Sequence, residues 1–271
     1  VIAVIKVLRR APLYIFLTIA SVLSVFPLFF MIVSATNTSA QVLGSRLLPG
    51  TNLLNNLHAL MGQQPLLSAL YHSSVNAVLT TIGALIFCSI AGYGFEVYHS
   101  KGKDVVMNII LLAMMIPFAA TMIPLFRMFS QFGFPTTLSV VLPAIATPFL
   151  ILLFRQSARS FPHEMLEAAR VDGLSELSIF LRIFIPTMRS TYAAAAVITF
   201  MAAWNNFLWP RVIIINNSEQ TMTMLVSNFR AGYVIDYGVL MLAVLIASLP
   251  TMIIFLVLQR SFANGIVGAV K

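Results

Sequence analysis

Residues 73–95 read SSVNAVLTTIGALIFCSIAGYGF, and no Asp, Glu, Lys, Arg or His interrupts them. A helix that crosses the roughly 30 Å hydrocarbon core of a bilayer needs about 20 such residues. Five further stretches share this character: 13–35, 105–126, 138–154, 190–210 and 239–258. Lipid offers nothing to backbone N–H and C=O groups, and the runs show no strand alternation, so each is expected to be a helix. The run 13–35 is longer than the apolar core of a signal peptide and reads as a retained first span. The expected fold class is all-α: a polytopic membrane protein of six transmembrane helices, forming one domain over 1–271.

Composition agrees. Of 271 residues 59% are hydrophobic and only 9% are charged, against about 25% charged in soluble proteins. That excludes a soluble enzyme and a disordered chain. The single cysteine, Cys88, excludes a disulfide scaffold. The net charge of +8 belongs to topology, and no basic stripe with interleaved aromatics points to nucleic acid. With six spans, both termini share a side. Lys6, Arg9, Arg10, Lys101, Lys103, Arg155, Arg159, Arg170, Arg182, Arg189, Arg260 and Lys271 fall on that side, and Arg46, Arg127, Arg211 and Arg230 on the other. The positive-inside rule then makes both termini cytoplasmic.

Within 73–95, Ala84, Cys88 and Gly92 recur every four residues and form a ridge that lets a second helix approach closely. Prolines 27, 117, 124, 143, 148, 210 and 250 lie in or at the ends of spans. A helix bundle tolerates them as packing features or kinks.

The cytoplasmic loop 155–189 holds four of the eight acidic residues. It is too long and too patterned for a plain connection. Pro162 can open a helix that continues through Val171. Gly173 can end it in a left-handed turn, and Ser175 can cap a second helix. Leu174, Leu177, Phe180, Leu181 and Phe184 recur at helical spacing, and Pro186 interrupts before the fifth span. The expected structure is a helix–glycine–helix hairpin.

Glu167-Ala168-Ala169, Gly173 four residues on, and Ile183, Ile185 and Pro186 beyond it resemble the EAA loop of bacterial ABC importer permeases. Ile185 stands where the family has leucine. MMIPFAATMIPLF at 114–126, FRQSARSFPHEMLEAARVDG at 154–173, WNNFLWP at 204–210, LQRSFANGIVGAVK at 258–271, and Asn76 resemble the second permease of carbohydrate importers, the maltose and glycerol-phosphate type. The resemblance covers nearly the whole chain. It implies a heteromeric complex in the bacterial inner membrane: a second permease, two ABC ATPase subunits and an extracytoplasmic solute-binding protein that delivers a sugar or, as the alternative substrate, glycerol 3-phosphate or a polyol. Segment 157–188 would be the coupling loop, with Glu167, Ala168, Ala169, Asp172, Gly173 and Pro186 as its site residues.

No GxxxxGK[ST] phosphate loop occurs, so ATP and Mg are expected on the partner ATPases and no cofactor on this chain. No metal-ligand spacing, catalytic motif or intramembrane charge occurs either. A secondary, ion-driven carrier would need ionisable residues inside its spans; a non-conducting assembly subunit is the other alternative. Glu96 is expected to be solvated at the edge of its span. Asn76, Trp204 and Asn205 are candidates for the permeation path, and the two at 204–205 fit an interfacial aromatic belt equally well. Trp209 is expected in that belt. Gly265 and Gly268 argue against a long helix in the tail.

Overall fold

A computed structural model describes the backbone of residues 2–230 and 235–270, and side chains over 12–230 and 235–259. Among the described residues every regular element is a helix. In chain order these are α1 (Ile2–Ala35), α2 (Ser39–Leu43), α3 (Leu53–Gln63), α4 (Leu66–Val97), α5 (Lys101–Ala113), α6 (Phe118–Phe132), α7 (Thr136–Ile145), α8 (Pro148–Arg159), α9 (His163–Val171) and α10 (Glu176–Ile179). After a π-turn at Phe180–Phe184 come α11 (Ile185–Thr187), α12 (Arg189–Trp204), α13 (Leu208–Ile213), a 3₁₀ turn, α14 (Met222–Arg230) and α15 (Tyr237–Val270).

Three uninterrupted segments are long and apolar enough to cross a membrane: Pro12–Ala35, Leu66–Val97 and Tyr237–Gln259. Three bent pairs bring the number to six if each is one span. α5 and α6 meet at 100°, α7 and α8 at 45°, and Glu176–Thr187 meets α12 at 79°. The continuous helices expected over 105–126 and 138–154 are therefore broken. Pro117 and Pro148 are the cause: each lacks an N–H and forces the residue before it out of helical geometry. Thr147 accordingly sits at φ −94°, ψ 118°. The fifth expected span, 190–210, ends as a helix at Trp204. The tail departs in the other direction, because α15 runs through Gly265 and Gly268 to Val270. Two isolated glycines cost about 1 kcal/mol each relative to alanine, which does not end a 34-residue helix.

The chain divides into two compact units, Val1–Leu66 with Leu225–Ser248, and Leu67–Met224 with Leu249–Lys271. In the first, a buried amide network ties the end of α1 to the segment after it. Asn56 donates to the carbonyls of Ala35 at 2.8 Å and Asn37 at 3.0 Å. Asn37 donates to Val33 and Leu48, both at 3.1 Å. Gly238 packs so closely here that a Cβ would lie 2.4 Å from the Asn37 carbonyl oxygen.

In the second unit, α8 lies on the small-residue ridge of α4. Ala84 and Cys88 are fully buried with Leu150, Phe154 and Ala195. A Cβ on Gly92 would come within 2.6 Å of the Phe154 Cβ and 2.7 Å of the Arg155 nitrogen. The Cys88 thiol donates to the Ile145 carbonyl at 3.3 Å, an acceptor released by the break between α7 and α8. α1, by contrast, leaves Val22, Leu23, Phe16 and their neighbours exposed, as suits a helix surrounded by hydrocarbon.

Candidate functional site

The hairpin forms where its sequence places it. Pro162 precedes α9, and α9 ends at Val171. Gly173 takes φ +79°, which costs a glycine nothing. Around it the Gly173 N–H donates to the Arg170 carbonyl and the Leu174 N–H to the Ala169 carbonyl, both at 3.0 Å. These two bonds are the Schellman closure of a helix end. Ser175 then caps α10, its Oγ accepting from the Ser178 N–H at 3.4 Å. Across the turn the Arg170 guanidinium donates to Glu176 Oε1 at 2.7 Å. That hydrogen bond holds the Arg170 pKa above its ordinary value.

Past Ile179 the expected α-helix gives way to a π-turn over Phe180–Phe184. Pro186 has no N–H for the ladder, and the wider turn lets the Ile185 N–H reach back to the Phe180 carbonyl. Phe180 and Phe184 consequently stack at 5.6 Å. Both meet Tyr93 of α4 edge-on, at 5.2 and 4.8 Å, and Phe161 approaches Phe184 at 5.9 Å. Leu166, Ala169 and Ile179 complete this core. The hairpin is thus bolted by an aromatic cluster to the end of α4.

The six expected coupling residues divide between two faces. Glu167, Ala168, Asp172 and Gly173 are exposed, as is Pro186 at the return; Ala169 turns inward beside Leu166. A spacing of three places Leu166 and Ala169 on one side of α9. The outward side also carries Val171, 88% exposed, and Leu177, 67% exposed. The hairpin thus carries apolar side chains on its exposed side as well as on the side that packs against α4.

A partly buried ion cluster was not legible in the sequence. Arg155 of α8 donates to Glu96 Oε2 at 3.1 Å and to Asp104 Oδ1 at 2.6 Å. His99 Nε2 lies 2.9 Å from Asp104 Oδ2. The Glu96 side chain is only 13% exposed, so it is an ion-pair partner and not the solvated edge residue expected. The cluster ties the ends of α4, α5 and α8 together. Among the described residues no group of three His, Cys, Asp or Glu side chains is placed to hold a metal ion.

The path candidates separate. Asn76 is buried in α4, and its Oδ1 has no hydrogen-bond partner among the described residues. Trp204 is 2% exposed and stacks on Phe200 at 5.9 Å and 14°. Asn205 is exposed, its amide donating to the Met201 carbonyl at 2.9 Å. None of the three lines the nearby cleft of about 150 Å³, whose polar groups come from Thr80, Thr147, Thr199 and Asn206. Trp209 is not in an aromatic belt. It is 1% exposed, donates from Nε1 to the Ser139 carbonyl at 2.9 Å, and packs against Phe118 and Phe129. The indole found a buried acceptor, and with it a place in the core.

Interrupted apolar helices, a small and largely apolar cleft with four polar side chains, and a braced hairpin between two of the helices are the features that a membrane transport permease combines. Residues 84–268 match the family of binding-protein-dependent transport system inner membrane components, and this chain belongs to that family. It is 42% identical to the lactose transport system permease protein LacG of Rhizobium radiobacter, over 97% of this chain and 98% of that one. It is 32% identical to the arabinooligosaccharides transport system permease protein AraQ of Bacillus subtilis (97% and 96%). It is 29% identical to the sn-glycerol-3-phosphate transport system permease protein UgpE of Escherichia coli O1:K1 (91% and 92%). The fold is that of an ABC importer permease. It superposes with a TM-score of 0.81 at 19% identity on a chain of a bacterial ABC transporter involved in the import of the acidic polysaccharide alginate, covering 96% of this chain and 97% of that one.

Proposed function

We propose that this chain forms, with a second permease, the path by which a sugar enters a bacterial cell. An extracytoplasmic binding protein delivers the sugar, and two ATPase subunits, which hold ATP and Mg, supply the work. Both termini and the 157–188 hairpin lie on the cytoplasmic side, a reading that the distribution of basic residues supports. The substrate reading is supported by relatives whose names specify lactose and arabinooligosaccharides.

The observation that carries the proposal is the two-faced hairpin. Leu166 and Ala169 anchor α9 from within, while Glu167, Ala168, Val171 and Asp172 present a mixed apolar and acidic surface outward. A cleft in an ATPase that grips this surface moves α9, and the Tyr93–Phe180–Phe184 cluster passes the displacement to α4. Closure of the ATPase pair thereby switches the path between its two openings, a rigid-body transition of packed elements. Glu167, beside a small alanine, fixes the orientation of docking.

The test is purification from native membranes followed by reconstitution. A second permease, a phosphate-loop ATPase and a binding protein should co-purify, and uptake should require ATP. Uphill transport by the purified chain alone, without nucleotide, would falsify the proposal.

A further inference from the structure

The hairpin leaves a polar seam in the spans unused. Ser73, Asn76 and Thr80 follow one another at helical spacing along α4, and all three are buried. Ser73 is accounted for, because its Oγ accepts from the Met222 N–H at 2.8 Å. Asn76 is not, because its Oδ1 is buried without a partner, and a native protein rarely leaves such a group unpaired without a reason. One turn further on, Thr80 opens on the 150 Å³ cleft.

Two helix breaks border that cleft. Ala144 and Thr147 come from the break between α7 and α8, and Ala203 and Asn206 from the end of α12. Irregular backbone at membrane depth is tolerated where it is enclosed by protein or lines a cavity, and transporters use such interruptions for substrate. Thr223 Oγ1 donates to the Asn206 main-chain carbonyl at 2.9 Å and holds that residue in place.

The chemistry of the lining selects among ligands. No Asp, Glu, Lys, Arg or His takes part, so nothing there neutralises a phosphate. The adjacent N-terminus of α8 offers an anion little. Pro148 has no N–H, and Leu150 and Ile151 already bond the Thr147 carbonyl at 3.0 and 3.1 Å, which leaves the Phe149 N–H as the single donor of that turn. What remains is three hydroxyls and one amide, set in an apolar wall that includes the Phe149 ring. Thr147 and Thr199 already donate to the Ala144 and Ala195 carbonyls at 3.1 and 2.8 Å and offer acceptor lone pairs, while Thr80 and Asn206 carry groups that can both donate and accept. A sugar ring, with hydroxyls at its rim and C–H groups on its faces, has the complementary pattern.

We infer that this cleft contacts one ring of an uncharged sugar during its passage, that Thr80 and Asn206 are specificity-determining residues, and that phosphorylated substrates are disfavoured. The inference rests on the importer reading above and assigns substrate contact to this subunit itself.

The test uses the complete complex with its binding protein in proteoliposomes. Labelled lactose, an arabino-oligosaccharide and sn-glycerol 3-phosphate are the probes, with ATP hydrolysis followed in parallel. The wild type should take up a neutral sugar in preference to the phosphate ester. Asn206→Leu and Thr80→Val should each lower that uptake about tenfold, the factor expected for one lost hydrogen bond. Hydrolysis stimulated by the binding protein should persist in both, and Thr80→Ser should restore uptake. Uptake confined to the phosphate ester, uptake of neither sugar, or unchanged sugar uptake in both variants overturns the inference. So does a parallel loss of uptake and stimulated hydrolysis, which marks a structural role. The importer reading falls on a different result: hydrolysis by the wild-type complex that ignores the binding protein.

Discussion

Replacing Gly173 isolates what the hairpin turn contributes. Its φ is +79°, and a Cβ built there would meet nothing within 4 Å. Crowding by neighbours therefore adds nothing to the cost of a side chain, and the penalty is that of the backbone alone. For an L-residue in the left-handed region this is roughly 1–2 kcal/mol. Asn pays least, because its short amide bonds locally, and a β-branched residue pays most. A change of one to two kcal/mol shifts an equilibrium by about 5–30-fold. The equilibrium at stake is between the closed turn, with its bonds to Arg170 and Ala169, and an opened one that presents α9 at the wrong angle. Uptake and binding-protein-stimulated ATP hydrolysis in the reconstituted complex should fall in the order Gly, Asn, Ala, Val, and protease sensitivity at 172–175 should rise in the same order. A valine variant with wild-type coupling refutes the reasoning. An asparagine variant as impaired as valine refutes it too, since it would show that the open space at this position, and not its φ, is what the partner requires.

Three further substitutions separate docking from stability. Glu167→Lys reverses an exposed charge, so the variant should insert normally yet lose at least about tenfold in ATPase affinity; unchanged co-purification would contradict the assigned face. Gly92→Val pushes a side chain into the backbone of α8, where contacts of 2.6–2.9 Å already await a Cβ. Overpacking of this kind costs about 1–3 kcal/mol and should lower the melting temperature in detergent, and an unchanged value would mean that α4 and α8 do not pack as described. Arg155→Met strands Glu96 in a site where its side chain is 13% exposed, with an expected loss of about 1–3 kcal/mol. Adding Glu96→Gln should recover part of it, whereas simple additivity of the two changes would show that the pair is not coupled.

The hairpin was legible because its signals are local. A proline, a glycine and a serine, spaced by the length of one short helix, fix where α9 starts, how it stops and where α10 is capped, and each acts through its own backbone or a neighbour's. The ridge Ala84–Cys88–Gly92 was legible for the same reason, since a period of four needs no partner to be seen. Trp209 misled because the amphipathic indole suits an interface and a core equally, and the choice depended on the Ser139 carbonyl, 70 residues away. The π-turn at 180–184 escaped because the period of the phenylalanines is nearly the same in either kind of helix.

By itself, then, the chain's order of residues determined that it carries apolar runs long enough to cross a membrane and where its hairpin bends. These follow from burial in hydrocarbon and from single-residue backbone preferences, and neither needs knowledge of what lies alongside. Only the tertiary structure decided that Ala169 faces inward while Ala168 faces out, that Glu96 belongs to Arg155, and that Asn206 rather than Asn205 or Trp204 lines the cleft. Those are questions of which face meets which neighbour, and they are answered by packing between segments far apart in sequence.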